Sequence, residues 1–316
     1  MNLTTMDYFI ALAEERSFTK AADRLHVTQQ TLSAHIASIE KELGSSLVER
    51  SIPLKLTYAG EVFLQYAHKF QRAQRSMEQE FLDIAKNERG NLKIGVAATR
   101  GHIIMPQAIA QFRKEHPGIT IDLHEGVNTD LIDLLKMGEL DMIIANISKK
   151  QTNIKVEHLY REEVVLVVSN KLLEDLYGNE ADRVIACVEE TKTLDALKDC
   201  PFLLVGRQDV PGNIARQIFE KTQILPEIAA ISRNAETLLA LVEEGVGACF
   251  LPGELVASLF PKGSSAGLRV AHIGDAGYYT ISAAWKQADH IWSIIPAFYE
   301  TLNKQLNDTE YLRSFI

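Results

Sequence analysis

Between Thr28 and His35 the chain carries Thr28, Gln29, Gln30, Thr31, Ser33, Ala34 and His35, broken by one large apolar residue, Leu32. Gln can bond adenine bidentately in the major groove, Ser suits any base edge, and an Ala methyl can touch that of thymine. A helix presenting these residues is therefore chemically able to read bases. A polar helix face with no partner has the same composition, and the residues alone do not separate the two readings. Arg50 and Lys55, on either side of Pro53, are cations of the kind that meet phosphates, although a surface Lys is more often merely solvated. A second group, Thr99-Arg100-Gly101, joins hydroxyl, guanidinium and glycine, a set suited to a small carboxylate or another anion.

The elements around the first group follow from helical spacing. Met6, Phe9, Ile10 and Ala13 give one apolar stripe, Phe18, Ala21, Ala22 and Leu25 a second, and Leu32, Ile36, Ile39 and Leu43 a third. Ser17 or Thr19 can cap the second helix, Thr28 is the natural N-cap of the third, and Gly44 its stop. The tight turn Leu25-His26-Val27-Thr28 makes the pair a helix-turn-helix. Beyond it, Ser51 to Thr57 alternates Ile52, Leu54 and Leu56 with small or basic residues, which predicts a β-hairpin wing.

From Phe18-Thr19-Lys20-Ala21-Ala22-Asp23-Arg24-Leu25 through Val27-Thr28-Gln29, Leu32-Ser33, Ile36, Glu40, Leu43-Gly44, Glu49-Arg50 and Leu56-Thr57 to Ala59-Gly60, the order and spacing resemble the winged helix-turn-helix of LysR-type transcriptional regulators. Gln30 departs from the family's frequent Pro, and Ala34-His35 from its common Arg-Gln pair. These departures bear on which DNA sequence is read. The resemblance implies Thr28, Gln29, Gln30, Thr31, Ser33, Ala34, His35, Arg50 and Lys55 as the DNA-contacting set.

After the wing, Ala59, Phe63, Tyr66, Phe70, Ala73 and Met77 are separated by four, three, four, three and four residues, a heptad seam. A helix from about Tyr58 to Glu88 would be roughly 45 Å long, too long to bury its seam against a small domain. Pairing with the same helix of a second chain follows, with Phe63, Tyr66, Phe70, Ala73 and Met77 as the contact; Ala59 and Phe63 also suit packing against the chain's own wing. In the family this helix is the dimer contact, which implies two recognition helices on a quasi-palindromic site.

The remaining residues alternate strand and helix. LKIGV from Leu92, a helix near Ile103 to Lys114, ITIDLH, a helix near Asp130 to Met137 and DMIIANI form one parallel α/β series. PFLLVG from Pro201, a helix from about Asn213, EIAAIS, a helix near Ala235 to Glu243 and ACFLP form a second on the same plan. Val164 to Ser169 and Tyr279 to Trp285 cross between them, and a helix near His290 to Leu306 closes the chain. Two α/β lobes joined by two crossings make a hinged cleft, and ligands of such sheets bind beyond the strands' carboxyl ends. The loops at Ala98 to Gly101, Asn146 to Ser148, Gly206 to Gln208 and Phe250 to Pro252 converge there, with Asn128-Thr129 capping a helix beside them.

This half also resembles the family's effector domain, itself similar to periplasmic binding proteins. The resemblance implies a small-molecule effector between the lobes, a carboxylate or other anion, lined by Thr99, Arg100, Asn128, Asn146, Arg207 and Phe250. The expected organisation is thus multi-domain: a winged helix-turn-helix at 1–58, a linker and dimerisation helix at 59–89, and a two-lobed α/β domain at 91–316. Lobe I spans about 91–163 and 270–316, and lobe II about 164–269. The function implied is promoter binding modulated by the effector, through a homodimer or homotetramer, with RNA polymerase as a further partner, no cofactor and no metal. The segment 170–199 departs from the family's shorter basic one and reads as an added helix on lobe II.

Other classes have less behind them. A solute-binding protein would need a signal peptide, and MNLTTMDYF has none, so a cytoplasmic location is expected; no apolar run reaches membrane-helix length. GxSxG, HExxH and P-loop patterns are absent, and His116, His124 and Glu125 lack metal-ligand spacing, so no enzyme is expected. Cys187, Cys200 and Cys249 form no CxxC pair and read as small buried hydrophobes; a thiol redox sensor of the same family, pairing Cys187 with Cys200, is the alternative. The net charge of −9 argues against bulk electrostatic coating of nucleic acid. Residues 1–60 carry −1, 61–90 carry zero and 91–316 carry −8, so the acidity belongs to the lobes.

Overall fold

The computed structural model describes residues 2–86, 89–147, 151–260 and 267–308. The chain divides into two units, Met1–Asn87 and Glu88–Ile316. No helix among the described residues is long and apolar enough to cross a membrane.

In the first unit α1 (Leu3–Glu15) starts at Asn2, whose side chain accepts from the Thr5 N–H, and stops at Arg16 in the left-handed region. Ser17 caps α2 (Phe18–Arg24) and Thr28 caps α3 (Gln29–Leu43), each accepting the backbone N–H three residues on. The turn between them is closed by His26 and Val27 N–H groups donating to Asp23 and Ala22 carbonyls, with His26 at φ 53°. That is a conformation a side chain rarely adopts, held here by the buried helices on both sides. Phe9, Leu12, Ala21, Leu32, Ile36 and Leu47 form one core beneath the three helices.

The wing is a two-stranded hairpin, β1 (Val48–Glu49) against β2 (Lys55–Leu56), so the alternating residues 51 to 54 are mostly its loop. Glu40, on α3, accepts from the Leu47 and Val48 N–H groups and from Ser46 Oγ, fixing the wing to the recognition helix. α4 (Tyr58–Ile84), capped by Thr57, ends four residues before the expected Glu88; Asn87 and Glu88 lie outside the described residues.

The second unit contains two half-sheets sharing one long strand. In lobe I, β3 (Gly90–Val96) pairs in parallel with β4 (Ile119–Glu125) and β5 (Met142–Ala145), and β11 (Tyr278–Lys286) runs antiparallel beside β5. In lobe II, β7 (Phe202–Val205) pairs in parallel with β8 (Ile228–Ser232) and β9 (Ala248–Pro252). β6 (Ile154–Ser169) pairs with β11 through its first half and with β9 through its second, so it is the crossing strand and is ten residues longer at its start than Val164 suggested. The two lobes do repeat one plan.

Helices cover both faces. α5 (Ala98–Glu115) and α12 (Ile294–Asp308) pack Phe112 against Phe298 at 5.1 Å on one face of lobe I, and α6 (Asn128–Met137) buries Leu131 and Leu135 on the other. In lobe II, α9 (Val210–Thr222) lies on one face and α10 (Ala235–Glu243) on the other. With both faces covered, Val164 to Val168 are all buried, which is why that strand reads as a continuous apolar run.

Some boundaries differ from the sequence reading. α5 begins at Ala98, five residues before Ile103, and α9 at Val210, three before Asn213, because each first turn is polar or Pro-containing and carries no apolar period. The segment 170–199 is two helices, α7 (Asn170–Tyr177) and α8 (Ala181–Thr191), whose Leu172, Leu173, Ile185 and Val188 complete the lobe II core. β10 (Leu268–His272), unanticipated, pairs with the second half of β6, so residues 270 to 272 belong to lobe II. α11 (Gly253–Leu259) was likewise missed.

Candidate functional site

On α3, Leu32, Ile36 and Ile39 point into the core, which leaves Thr28, Gln29, Gln30, Thr31 and Ala34 exposed and Ser33 half-buried. Thr28 and Thr31 bond each other through their hydroxyls at 2.8 Å. They finish the helix start and leave Gln29, Gln30, Ser33 and Ala34 as the open face. His35 turns away from this face. Its Nδ1 lies 3.3 Å from Thr5 Oγ1 and its ring packs edge-on against Tyr8, so it ties α3 to α1. Arg50 and Lys55 are exposed at the base of the wing, Lys55 opposite Glu49 in the hairpin.

Along α4, Phe63 is buried in the head's own core, 4.9 Å from the Phe9 ring, and so is removed from the seam. Tyr66, Phe70, Ala73 and Met77 are exposed, and Phe81 and Ile84 extend the same apolar line at 63% and 68% exposure. A groove of 440 Å³ lined by Met6, Leu47, Tyr58, Val62, Tyr66 and Phe70 runs beside this line.

In the second unit, a 60 Å³ cavity lies between the lobes. Lobe I contributes Thr99 and Arg100 from the first turn of α5 and Asn128 from α6; lobe II contributes Asp209, Pro211 and Arg233; Glu162 and Tyr279 come from the crossing strands. The N-caps of α5, α6 and α9 are Ala97, Val127 and Asp209, and none makes a side-chain capping bond, so three helix starts face the cavity with open N–H groups. Such ends favour negative charge.

Arg100 is 5% exposed and reaches Glu162 Oε2, itself 1% exposed, from Nη2 at 3.2 Å. Tyr279 donates its hydroxyl to the same oxygen. The Arg100 Nε and Nη1 donors find no partner among the described residues. Beside Glu162 lies Glu254, whose carboxyl is pushed up to about 9, first by burial and then by the negative charge of Glu162. Burial also raises Glu162, with Arg100 opposing. Two buried carboxyls side by side resist carrying charge together out of water, so both are held above the ordinary carboxylate range.

Two family models match the chain: "Bacterial regulatory helix-turn-helix protein, lysR family" over residues 3–61, and "LysR substrate binding domain" over residues 85–307. The chain belongs to the LysR family of transcriptional regulators. It is 28% identical over 263 residues to the HTH-type transcriptional regulator AlsR of Bacillus subtilis, covering 80% of each chain. It is also 28% identical to the B. subtilis regulator YybE, over 80% of this chain and 82% of that one. In structure it resembles CbnR complexed with its target DNA, at 22% identity and TM-score 0.67, covering 96% and 99% of the two chains. A second neighbour, full-length BenM, is 26% identical with TM-score 0.54, covering 97% of each. The chain is thus a LysR-type DNA-binding transcriptional regulator with an effector-binding domain.

Against this LysR-type scaffold, three of the effector-site residues expected from the sequence lie outside the cavity lining. Phe250 is 1% exposed, stacked on Phe202 and edge-on to Phe219 in the lobe II core; the β9 residue that lines the cavity is Pro252, at the end of the strand. Arg207 is exposed and does not line the cavity, where Asp209 stands instead. Asn146 is absent from the lining too. Its N–H donates to Asn128 Oδ1 at 3.1 Å and its Nδ2 to the Thr280 carbonyl at 2.9 Å, so it holds α6 and β11 in place. Asn128 is the first helical residue and not the cap. Thr99, Arg100 and Asn128 do meet at the cavity, from helix starts instead of loops.

The cleft of this LysR-type chain is also lined by residues that sequence reasoning passed over, Glu162, Asp209, Arg233 and Tyr279, with Glu254 beside Glu162. A signal existed for two of them. Glu162 and Glu163 directly precede the apolar run Val164 to Val168, and Asp209 precedes a Val-Pro helix start.

Proposed function

We propose that this LysR-type regulator reads its DNA through Gln29, Gln30, Ser33 and Ala34 on α3, with Arg50 and Lys55 on phosphates, as a dimer joined along Tyr66, Phe70, Ala73 and Met77. A quasi-palindromic site would then receive two heads on successive major-groove turns. The protein acts in the cytoplasm, where a carboxylate-bearing effector enters the cleft beside Arg100 and changes the angle between the lobes. In a tetramer of two such dimers, that change alters the spacing of the heads on DNA, and RNA polymerase is the candidate recipient of the signal.

The observation that carries the effector reading is the cleft itself: a buried Arg100 with two spare donors, three uncapped helix starts, and 60 Å³ of room. That volume corresponds to about two water molecules of liquid, so an organic carboxylate must move the lobes to enter. Binding and conformational change are then one event. A thermal-shift screen of small carboxylates tests this, with Arg100→Ala as control; equal shifts in both proteins contradict the site.

The thiol redox reading has little support. Burial pushes the Cys200 thiol up to about 11 and Cys249 to about 12, far from the thiolate that reacts with peroxide. Mass spectra after peroxide should find Cys187 and Cys200 unlinked.

For the head, Ser33→Ala or Gln29→Ala should cost about 1–3 kcal/mol at particular base pairs, whereas Lys55→Ala should weaken all sequences alike. Equal weakening of every sequence by both kinds of variant would mean that another face reads the bases.

A further inference from the structure

The cavity between the lobes is lined by four charged side chains: Arg100 and Arg233, Glu162 and Asp209. Two cations and two anions leave the lining with no net charge. Glu162 Oε2 is taken up by Arg100 and Tyr279. Arg233 donates to Gln208 at 3.0 Å. The buried lining atoms left without partners among the described residues are Nε and Nη1 of Arg100 from lobe I, Oε1 of Glu162 beside the Glu254 carboxyl, and Oδ2 of Asp209, which is the one such acceptor on lobe II.

Asp209 is the anomaly. As the N-cap of α9 it is the residue type that ordinarily accepts a bond from its own helix, and it makes none. Its Oδ2 is buried at the cavity wall, where burial raises its pKa and the charges of Arg233, Arg100 and Arg216 oppose that rise. A ligand bearing only negative charge would satisfy Arg100 and the helix starts, but it would leave the Asp209 oxygen unpartnered and repelling it. Burying an unpaired polar group is unfavourable. A ligand with a carboxylate at one end and a hydrogen-bond-donating cation at the other satisfies both.

From this complementarity we infer that the effector is a small zwitterion, an α-amino acid or a similar ammonium-bearing carboxylate, whose carboxylate sits on Arg100 and whose ammonium sits on Asp209. The inference rests on the cleft being the effector site and narrows the ligand's class. It also makes the ligand a bridge between the lobes, since its two charged ends are held by different halves of the domain.

The test is titration calorimetry on the full chain at pH 7, using each common amino acid beside its 2-hydroxy acid, its deaminated acid and its decarboxylated amine. At least one amino acid should bind, and its three partners should bind at least about tenfold more weakly, as loss of one charged hydrogen bond implies. Asp209→Asn should bring that amino acid down to the affinity of its hydroxy acid while leaving the deaminated acid unchanged. Unaltered melting and DNA retardation of the unliganded variant would establish that it folds. A deaminated acid that binds as tightly as its amino acid overturns the zwitterion while leaving a carboxylate effector in place. Absence of binding by every compound in the set overturns the inference and removes support from the carboxylate reading as well.

Discussion

Gly60 lies where the wing meets the start of α4, and its replacement by Ala gives a sharp test of how the DNA-reading head is braced. A Cβ at this position would fall 2.0 Å from the Leu47 carbonyl oxygen and 3.0 Å from its carbon, with Leu56 Cβ at 3.3 Å. The obstacle is backbone, so relief requires the wing strand or the helix start to retreat by about 1 Å. Neither is free to do so. The same Leu47 oxygen accepts the Thr57 N–H at 3.1 Å, Thr57 Oγ1 donates to the Ser46 carbonyl at 2.7 Å, and the Leu47 N–H donates to Glu40 Oε1 at 2.7 Å. Overpacking of this kind costs about 1–3 kcal/mol and a sacrificed hydrogen bond about 1 kcal/mol, so Gly60→Ala should destabilise the head by about 2–4 kcal/mol. For a unit of this size, that lowers its melting temperature by roughly 10 °C or more.

Gly44 supplies the contrast. Its φ of 65° disfavours a side chain, yet nothing lies within 4 Å of its absent Cβ, so Gly44→Ala should cost only about 1 kcal/mol. Calorimetric melts of the full chain would separate the two. A Gly60→Ala head that melts with the parent, or a Gly44→Ala variant that is the more damaged, would refute this steric ranking and the fixed joint between wing and α4.

Two further outcomes follow from the geometry. Because Glu254 is held at about 9, above its unfolded value, it favours the folded state fully at acid pH, and that contribution declines as pH rises towards 9. The loss is at most about 1.4 kcal/mol per pH unit, and Glu254→Gln should flatten the melting profile of the effector domain between roughly pH 5 and 9; an unchanged slope would mean the carboxyl is ionised in the fold. On α4, Phe70→Asp should convert the dimer to monomer in light scattering without lowering the head's stability, because Phe70 is 45% exposed, whereas Phe63→Asp should unfold the head.

The parts legible in the sequence were those set by local chemistry. Ser17, Thr28 and Gly44 mark helix ends through bonds to residues three or four positions away, and the paired lobes follow from alternating apolar runs. What stayed hidden depends on partners far along the chain. His35 has the composition of a reading residue but is claimed by Thr5 and Tyr8 from α1. Phe63 and Tyr66 occupy equivalent seam positions, and only the head's own core distinguishes them. Arg100 was recognisable as a candidate, but its pairing with Glu162, 62 residues later, and its placement opposite Asp209 were not.

The charge distribution fits this division. With −8 on residues 91–316 and −1 on residues 1–60, DNA affinity must rest on a few placed contacts and on dimer avidity instead of bulk attraction. The most direct measurement is a footprint of the purified protein, at low salt, on the intergenic DNA upstream of its own gene. Two protected half-sites about one helical turn apart, shifting in spacing when effector is added, are the expected result. No protection of that DNA at any protein concentration, or protection indifferent to Gln29→Ala and Ser33→Ala, would contradict it.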